Sequence, residues 1–482
     1  MIADSTALTL ADGRIVECGQ TLRNLPEKRH VYAGRFDGRP AIVKVFLDRR
    51  RARVHFQREL DGLHAFHYAG IAAPEVLYAG SDGAGRPVII LARIGDAVAL
   101  STLWQGADFE QRSKLMRLMM NLLASHHIAG ICQTDLHRDN FLVADGLVYS
   151  LDGDGVLAQA GPLDERRSLQ NLALYFSQLD PGQDPMSLEF SAYYAQRRSW
   201  SASVVRARIP PLIDAARLYR WRKLRAQIYR DCTAVAHLKA PGRACRVTRS
   251  YESDLRPLLA DLDAHCPSDP ARRLKTGSTA TVWRALAGDR SLVVKRYNVK
   301  DGLHGVMRAL KESRASISWR NAHMLEMFGV ATPVPVAFCI RRQSPLRPVG
   351  YFLAENVSGI SLVDWIEKHR DQPEAIRRAA AMVGDLFSRL RRLQISHGDM
   401  KATNFILSDD RLIVLDLDSM RQHRFRLVFE RVWRRDMARF AANWQDSPRV
   451  MEIMQEAIET ARQAGPESLA STLKRWQNSA FM

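Results

Sequence analysis

The chain has 482 residues, enough for two or three domains with a hydrophobic core each. Its 46% hydrophobic and 25% charged residues are those of an ordinary globular protein and exclude a mostly disordered or collagen-like chain. Seventy Lys and Arg against 52 Asp and Glu leave +18, which points to a partner carrying phosphates: nucleic acid, an anionic membrane surface or a phosphorylated glycolipid.

In chain order, Met1 to Gln20 holds Asp4, Asp12, Arg14 and Glu17 among its apolar residues, which interrupts any signal-peptide core. No later window approaches the length of a membrane-spanning apolar run, so neither spanning nor export is expected. Pro40 to Phe46 and Val88 to Ala92 are β-branched runs that predict antiparallel strands, and the first contains Ala-Ile-Val-Lys44. Leu115, Met119, Leu122 and Leu123 have helical spacing, and His126-His127 at the end of that helix read as structural histidines. Asp135-Leu-His-Arg-Asp-Asn140 follows, then an apolar strand, Leu147 to Leu151, running into Asp152-Gly-Asp154. From Lys239 through Arg273, Pro241-Gly242, Pro267 and Pro270 are linker signals around a short helix at Asp254 to Leu262. A domain seam is expected there, giving domains 1–245 and 246–482, with the alternative that Asp231 to Arg249 already belongs to the second. Beyond it, Leu292 to Val294 and Tyr351 to Ala354 read as strands, and Ala379, Met382, Val383, Leu386 and Leu390 as a helix. Trp319 and Trp433 read as core residues. Six scattered cysteines with no C-x-x-C pair indicate neither a disulfide framework nor a zinc site, and fit a reducing cytoplasm.

One module occurs twice. Asp135 to Leu142 and Asp399-Met-Lys-Ala-Thr-Asn404-Phe-Ile406 stand 264 positions apart, and the same offset pairs Leu151-Asp152 with Leu415-Asp416 and Phe176 with Phe440. Gly70 to Pro74 matches Gly329 to Pro333, and Val43-Lys44 matches Val294-Lys295. The expected fold is α+β: two tandem domains, each a small antiparallel-sheet lobe followed by a mainly helical lobe.

Each copy offers, in order, what phosphoryl transfer of the kinase type needs. Lys44 and Lys295 end apolar runs, Ala-Ile-Val-Lys and Leu-Val-Val-Lys, as a strand lysine facing nucleotide phosphates would. Asp135 and Asp399 are candidate bases for the acceptor hydroxyl. Asn140 and Asn404, five residues on, can ligate Mg²⁺ with Asp152 and Asp416, while Asp154 and Asp418 are further candidate ligands. A single D-x-x-x-x-N is a weak signal; two in register, each with its lysine and aspartates, are a strong one.

At these residues the sequence resembles the protein-kinase-like superfamily, and within it the lipopolysaccharide core heptose kinase and Kdo kinase group of Gram-negative bacteria. His397-Gly-Asp399-Met-Lys401-Ala-Thr-Asn404 is similar to that family's catalytic loop, and Ser318 to His323 with Gly329 to Pro335 resembles its approach to the fourth strand. The resemblance runs from about Arg29 to Trp444. It implies ATP- and Mg²⁺-dependent phosphorylation of an inner-core sugar, heptose or Kdo-like, at the cytoplasmic face of the inner membrane. The implied partners are core oligosaccharide or lipid-linked core and the anionic membrane surface. Nucleic acid fits less well, since no nucleic-acid module accompanies the charge. The rivals are a pseudokinase scaffold and a Ser/Thr protein kinase; the absence of a long A-P-E segment after Asp152 or Asp416 speaks against the latter.

The copies depart from the pattern differently. The first has Gln133-Thr134-Asp135 where His-x-Asp is usual, and only Gly34 and Gly38 in the segment Val31 to Gly38 read as its nucleotide-covering loop. The second has Lys275-Thr-Gly277-Ser-Thr-Ala-Thr-Val282, whose small residues let backbone N–H groups approach phosphate. Glu59 is expected to pair with Lys44; in the second copy Ser318 stands at that place and Glu312 is the nearest substitute. Lys401 is expected to reach the transferred phosphoryl group, where the first copy has His137. On these grounds the second copy is expected to carry the principal catalysis. Basic clusters at Arg49 to Arg53, Tyr219 to Arg225 and Arg421 to Arg435 are candidate grips on a lipid headgroup.

Overall fold

A computed structural model describes residues 6–25, 28–48, 50–240, 242–298, 312–342, 348–408 and 411–463. Arg49, Pro241 and Arg347 lie outside them. The chain is mixed α+β and divides into two compact units, the first containing 6–179 with 183–216 and the second 180–182 with 217–463. The division lies ahead of the expected seam at 245/246. The reason is strand pairing: Val235–Ala240 pairs with Arg243–Thr248, which pairs with Pro335–Arg342, so this stretch belongs to the second sheet.

In the first unit six antiparallel strands lie in the order Thr6–Thr9, Ile15–Leu25, Arg29–Phe36, Arg39–Phe46, Pro87–Ala92, Val76–Ser81. The strand bearing Lys44 is therefore interior. Gly34 serves the sheet itself: a Cβ there would lie 1.9 Å from the Glu17 carbonyl oxygen. Val31 to Gly38 is accordingly strand plus a two-residue turn, Asp37-Gly38, with φ of 48° and 74° as a tight hairpin requires. The segment read as a covering loop is thus paired along its length with the strand that bears Lys44. Helix Ala52–Tyr68 buries Glu59, Gly62, Leu63 and Phe66, three and four residues apart on one face. Gly62 and Gly153 let this helix touch the Asp152–Asp154 segment, since a Cβ on either would come within 2.2 Å of a backbone oxygen of the other segment. The helices Phe109–Ile128, Glu165–Phe176 and Asp184–Arg197 follow, the first opened by an Asp108–Gln111 capping box.

In the second unit seven antiparallel strands run Val235–Ala240, Arg243–Thr248, Pro335–Arg342, Pro348–Glu355, Arg290–Tyr297, Ala280–Ala287, Lys275–Thr276. Helix Arg314–Met327 packs Trp319 fully buried, and helices Pro373–Arg392, Arg426–Ala441 and Pro448–Gln463 surround Phe387, Phe405, Trp433 and Phe440. Cys245 and Cys339, register partners on neighbouring strands, form a disulfide. The expectation of no disulfide is corrected: 94 residues separate the pair, so no local spacing announces it.

The spacing of the polar motifs has a simple origin in both units. Phe141–Ala144 pairs with Leu147–Ser150, and Phe405–Ser408 with Arg411–Val414. Each hairpin brings its asparagine next to the residue that precedes its aspartate: Leu151 N donates to Asn140 O at 3.0 Å, and Leu415 N to Asn404 O at 2.8 Å. Asn and Asp twelve residues apart thus become neighbours.

Candidate active sites

In the first unit Lys44 pairs with the carboxylate of Glu59, which is fully buried and has Arg29 at 3.6 Å. Lys44 Nζ also reaches the Leu151 carbonyl at 3.3 Å. Burial lifts the Glu59 carboxyl above its usual range despite the lysine, while Asp152, although buried too, is held below its usual range by its neighbour Glu59 and the positive charges of Lys44 and Arg29. Asp154 turns away and bonds His55 Nδ1 at 2.8 Å. Asn140 Nδ2 donates to the Asp135 carbonyl at 3.1 Å, and the Asp135 side chain is exposed. A cleft of about 500 Å³ is lined by Val31, Ile42, Lys44, Leu91, Asn140 and Asp152 among others. Apolar walls with convergent polar groups at one end are the usual character of a small-molecule site.

The second unit reaches a similar arrangement by other contacts. Ser318, at the place of the helix glutamate, is buried and hydrogen-bonds the Tyr297 hydroxyl at 2.7 Å. Glu312 does not substitute for it: its carboxylate serves Tyr229, Ser316 and Arg320. Lys295 is drawn instead to Asp416 and to Asp418 Oδ2 at 3.2 Å, and Arg314 holds the same Asp418 oxygen at 2.8 Å. Against burial, neighbouring Tyr297 and the charges of Asp416 and Asp418 keep the Lys295 ammonium above its usual range, and Lys295 in turn holds the Asp416 carboxyl below its own. Asp416 has φ 58° and ψ 59°, a left-handed conformation uncommon outside glycine and asparagine. The Lys275–Val282 loop is a tight turn in which Gly277 N donates to Ala280 O at 3.0 Å, and Asn298 Nδ2 pins Gly277 O at 2.9 Å.

The loop carrying Asp399 is braced on all sides. Asn404 Nδ2 donates to the Asp399 carbonyl at 2.8 Å, as Asn140 does for Asp135. His397 is fully buried and bonds the Leu415 carbonyl at 2.9 Å. Gln133, its counterpart, sends Nε2 to the Asp152 carbonyl at 3.4 Å, one residue beyond the carbonyl that corresponds to Leu415. Lys401 Nζ lies 3.3 Å from Asp399 Oδ1, and Arg439 Nη1 lies 3.0 Å from the same oxygen. Asp436, nearly fully buried, accepts from His397 N at 2.8 Å and Gly398 N at 3.1 Å.

Sequence reading missed Arg439, Asp436, Arg314 and His55. One signal was present: Phe429, Trp433, Asp436 and Phe440 form a single helical stripe, and an aspartate in an apolar stripe is a buried charge that needs donors. Removing it leaves two loop N–H groups without an ionic acceptor. Asp436→Ala is therefore expected to lower stability by about 3 kcal/mol and to reduce turnover, checked by thermal unfolding alongside rate measurements.

Among the described residues no group of three or more His, Cys, Asp and Glu is placed to hold a metal. Asp416 and Asp418 nevertheless converge on one Lys295 Nζ, and the Asn404 bond to Asp399 uses its amide nitrogen, leaving the amide oxygen for other contacts. Two carboxylates and an amide oxygen are donors that suit a hard cation such as Mg²⁺.

Residues 271–457 match the model of the lipopolysaccharide kinase (Kdo/WaaP) family. The matched span contains Lys295, Asp399, Asn404, Asp416, Asp418 and the helix bearing Asp436 and Arg439. Among solved structures, one described as WaaP in complex with acyl carrier protein aligns with 18% identity over 47% of this chain and 93% of that chain, at a TM-score of 0.31. No curated protein matches the chain.

Proposed function

We propose that this protein, which carries a lipopolysaccharide kinase (Kdo/WaaP) family domain over residues 271–457, uses ATP and Mg²⁺ to phosphorylate a heptose or Kdo-like sugar of the inner core. In this reading the chain is two kinase-like domains in tandem and the second carries the principal catalysis. Asp399 takes the proton of the acceptor hydroxyl as that oxygen bonds the γ-phosphorus and the bond to ADP breaks. Lys401 and Arg439, beside the same carboxylate, offset charge on the transferred group. Lys295 and the backbone around Gly277 hold the nucleotide phosphates. Asn404, Asp416 and Asp418 hold Mg²⁺, which when bound neutralises phosphate charge. The observation that carries the reading is that the family match spans a base, an amide and a lysine–aspartate set assembled by one hairpin and one sheet.

The first domain, with its Lys44–Glu59 pair and its cleft beside Asn140 and Asp152, is read as a nucleotide-binding partner or second kinase, with Asp135 as its base. One observation favours a binding-only role for the second site in the form described: Lys295 is already neutralised by Asp416 and Asp418, so nucleotide must draw the lysine away. Lipid-linked core as acceptor, and the charge of +18, support peripheral work at the anionic cytoplasmic face of the inner membrane. Among the described residues no helix is long and apolar enough to cross a membrane.

Mass spectrometry of core oligosaccharide from cells with and without the protein tests the function. A phosphate is expected to be missing from an inner-core sugar without it. Unchanged core, with phosphate transfer to a peptide instead, would favour the protein-kinase rival.

A further inference from the structure

The start of helix Arg426–Ala441 interleaves apolar and basic residues in a way found nowhere in the corresponding part of the first unit. Phe425, Leu427 and Val428 are 65%, 85% and 52% exposed, consecutive or nearly so, while Phe429 behind them is fully buried. Arg421, Arg424 and Arg426 flank them, and Arg431, Arg434 and Arg435 continue along the helix, all exposed. Residues 421–439 contain seven arginines against Glu430 and Asp436, a net charge of +5. The stretch 264 positions earlier, 157–175, has Arg166 and Arg167 against Asp164 and Glu165, a net charge of zero.

The segment is also anchored. Arg421–Gln422 pairs with Ile395–Ser396, His423 Nε2 meets Ser396 Oγ at 2.7 Å, and Phe429 and Trp433 bury the opposite face of the helix. Arg431 and Arg435 make no ion pair among the described residues. Leu427, Arg431, Arg435 and Arg439 follow one another at four-residue intervals, so one exposed stripe leads from the apolar tip to the guanidinium that holds Asp399.

We infer that this tip is a membrane-docking element: Phe425, Leu427 and Val428 enter the acyl boundary of an anionic lipid layer while the arginines around them engage lipid phosphates. Arginine flanking apolar side chains on a helix is the composition of an interfacial segment. The charge complements phosphate-bearing lipid, and the close alternation of Arg-Phe-Arg-Leu-Val offers no broad apolar face for a protein partner. The inference rests on the lipid-linked acceptor reading and deepens it, since it would hold the second unit's catalytic loop at the layer where such an acceptor is presented.

The test is sedimentation of the full chain with phosphatidylglycerol–phosphatidylcholine vesicles and with phosphatidylcholine alone, which reads no phosphate transfer and so stands apart from the kinase reading. Binding is expected only to the anionic vesicles and to weaken with salt, as exposed charges are screened over about 8 Å at physiological ionic strength. Phe425→Ser with Leu427→Ser is expected to weaken binding by about tenfold or more, with thermal unfolding unchanged because both side chains are exposed. In a Phe425→Trp variant, brominated acyl chains are expected to quench the new fluorescence more than they quench the parent's. Undiminished binding by the double serine variant would overturn the proposal. So would binding without that added quenching, or a surface that captures an acidic protein while ignoring vesicles.

Discussion

Asp399→Ala is expected to lower phosphate transfer to core oligosaccharide by roughly 10²- to 10⁴-fold, the usual cost of losing a general base. The loss should appear in kcat with little change in the KM for ATP, because the proposal assigns Asp399 to the acceptor hydroxyl and the nucleotide phosphates to Lys295 and the Gly277 turn. The loop itself should survive: its backbone is held by Asp436 and by Asn404, neither of which uses the Asp399 carboxylate. Asp135→Ala assayed in parallel decides between the units. A small effect there supports catalysis in the second unit; loss with Asp135→Ala and none with Asp399→Ala would reverse the assignment, and equal loss would mean that both sites act.

Asp416→Ala should reduce Mg·ATP affinity and transfer rate together, the rate by on the order of 10²- to 10³-fold as for other lost electrostatic stabilisers. Two effects combine. The candidate cation site loses one of two carboxylates, and alanine is poorly suited to a backbone φ of 58°. Lys295 meanwhile keeps only Asp418, which it shares with Arg314. Calorimetry with Mg·ATP is the measurement, and undiminished affinity would remove Asp416 from the nucleotide site. The same experiment on Asp152→Ala reports whether the cleft of the first unit takes nucleotide as well.

Much of this architecture is legible in the amino-acid sequence. The strand lysines, Glu59 opposite Lys44, and the Asn–Asp spacing can be read because each depends on local rules: strand alternation, a helix face, and a hairpin of fixed length. What stays hidden depends on distant parts of the chain. Arg439 and Asp436 reach the Asp399 loop from a helix some forty residues downstream. Glu312 is the nearest acid in sequence to the missing glutamate, yet its carboxylate serves Arg320 and Tyr229, and Lys295 finds the aspartates more than a hundred residues away. The seam is misplaced in the sequence for a related reason. Ala240 and Arg243 are register partners on two strands of one sheet, and turn chemistry reads the same in a sequence whether it joins strands or domains.

The exchange of histidine for glutamine beneath the Asp399 and Asp135 loops puts a titratable brace under one loop and a non-titrating one under the other. Burial holds the His397 ring below its ordinary pKa, so well above about pH 6.5 both folded and unfolded chains carry it neutral and it adds no pH dependence. As pH falls below that value the unfolded chain takes up a proton that the buried ring resists, and the second unit loses stability. Gln133 braces its loop with an amide that does not titrate. At this one position acidification acts on the second unit alone; in the first unit burial likewise depresses His126 and His127, to about 3 and about 4, so the acid response there arises in the helix that carries them.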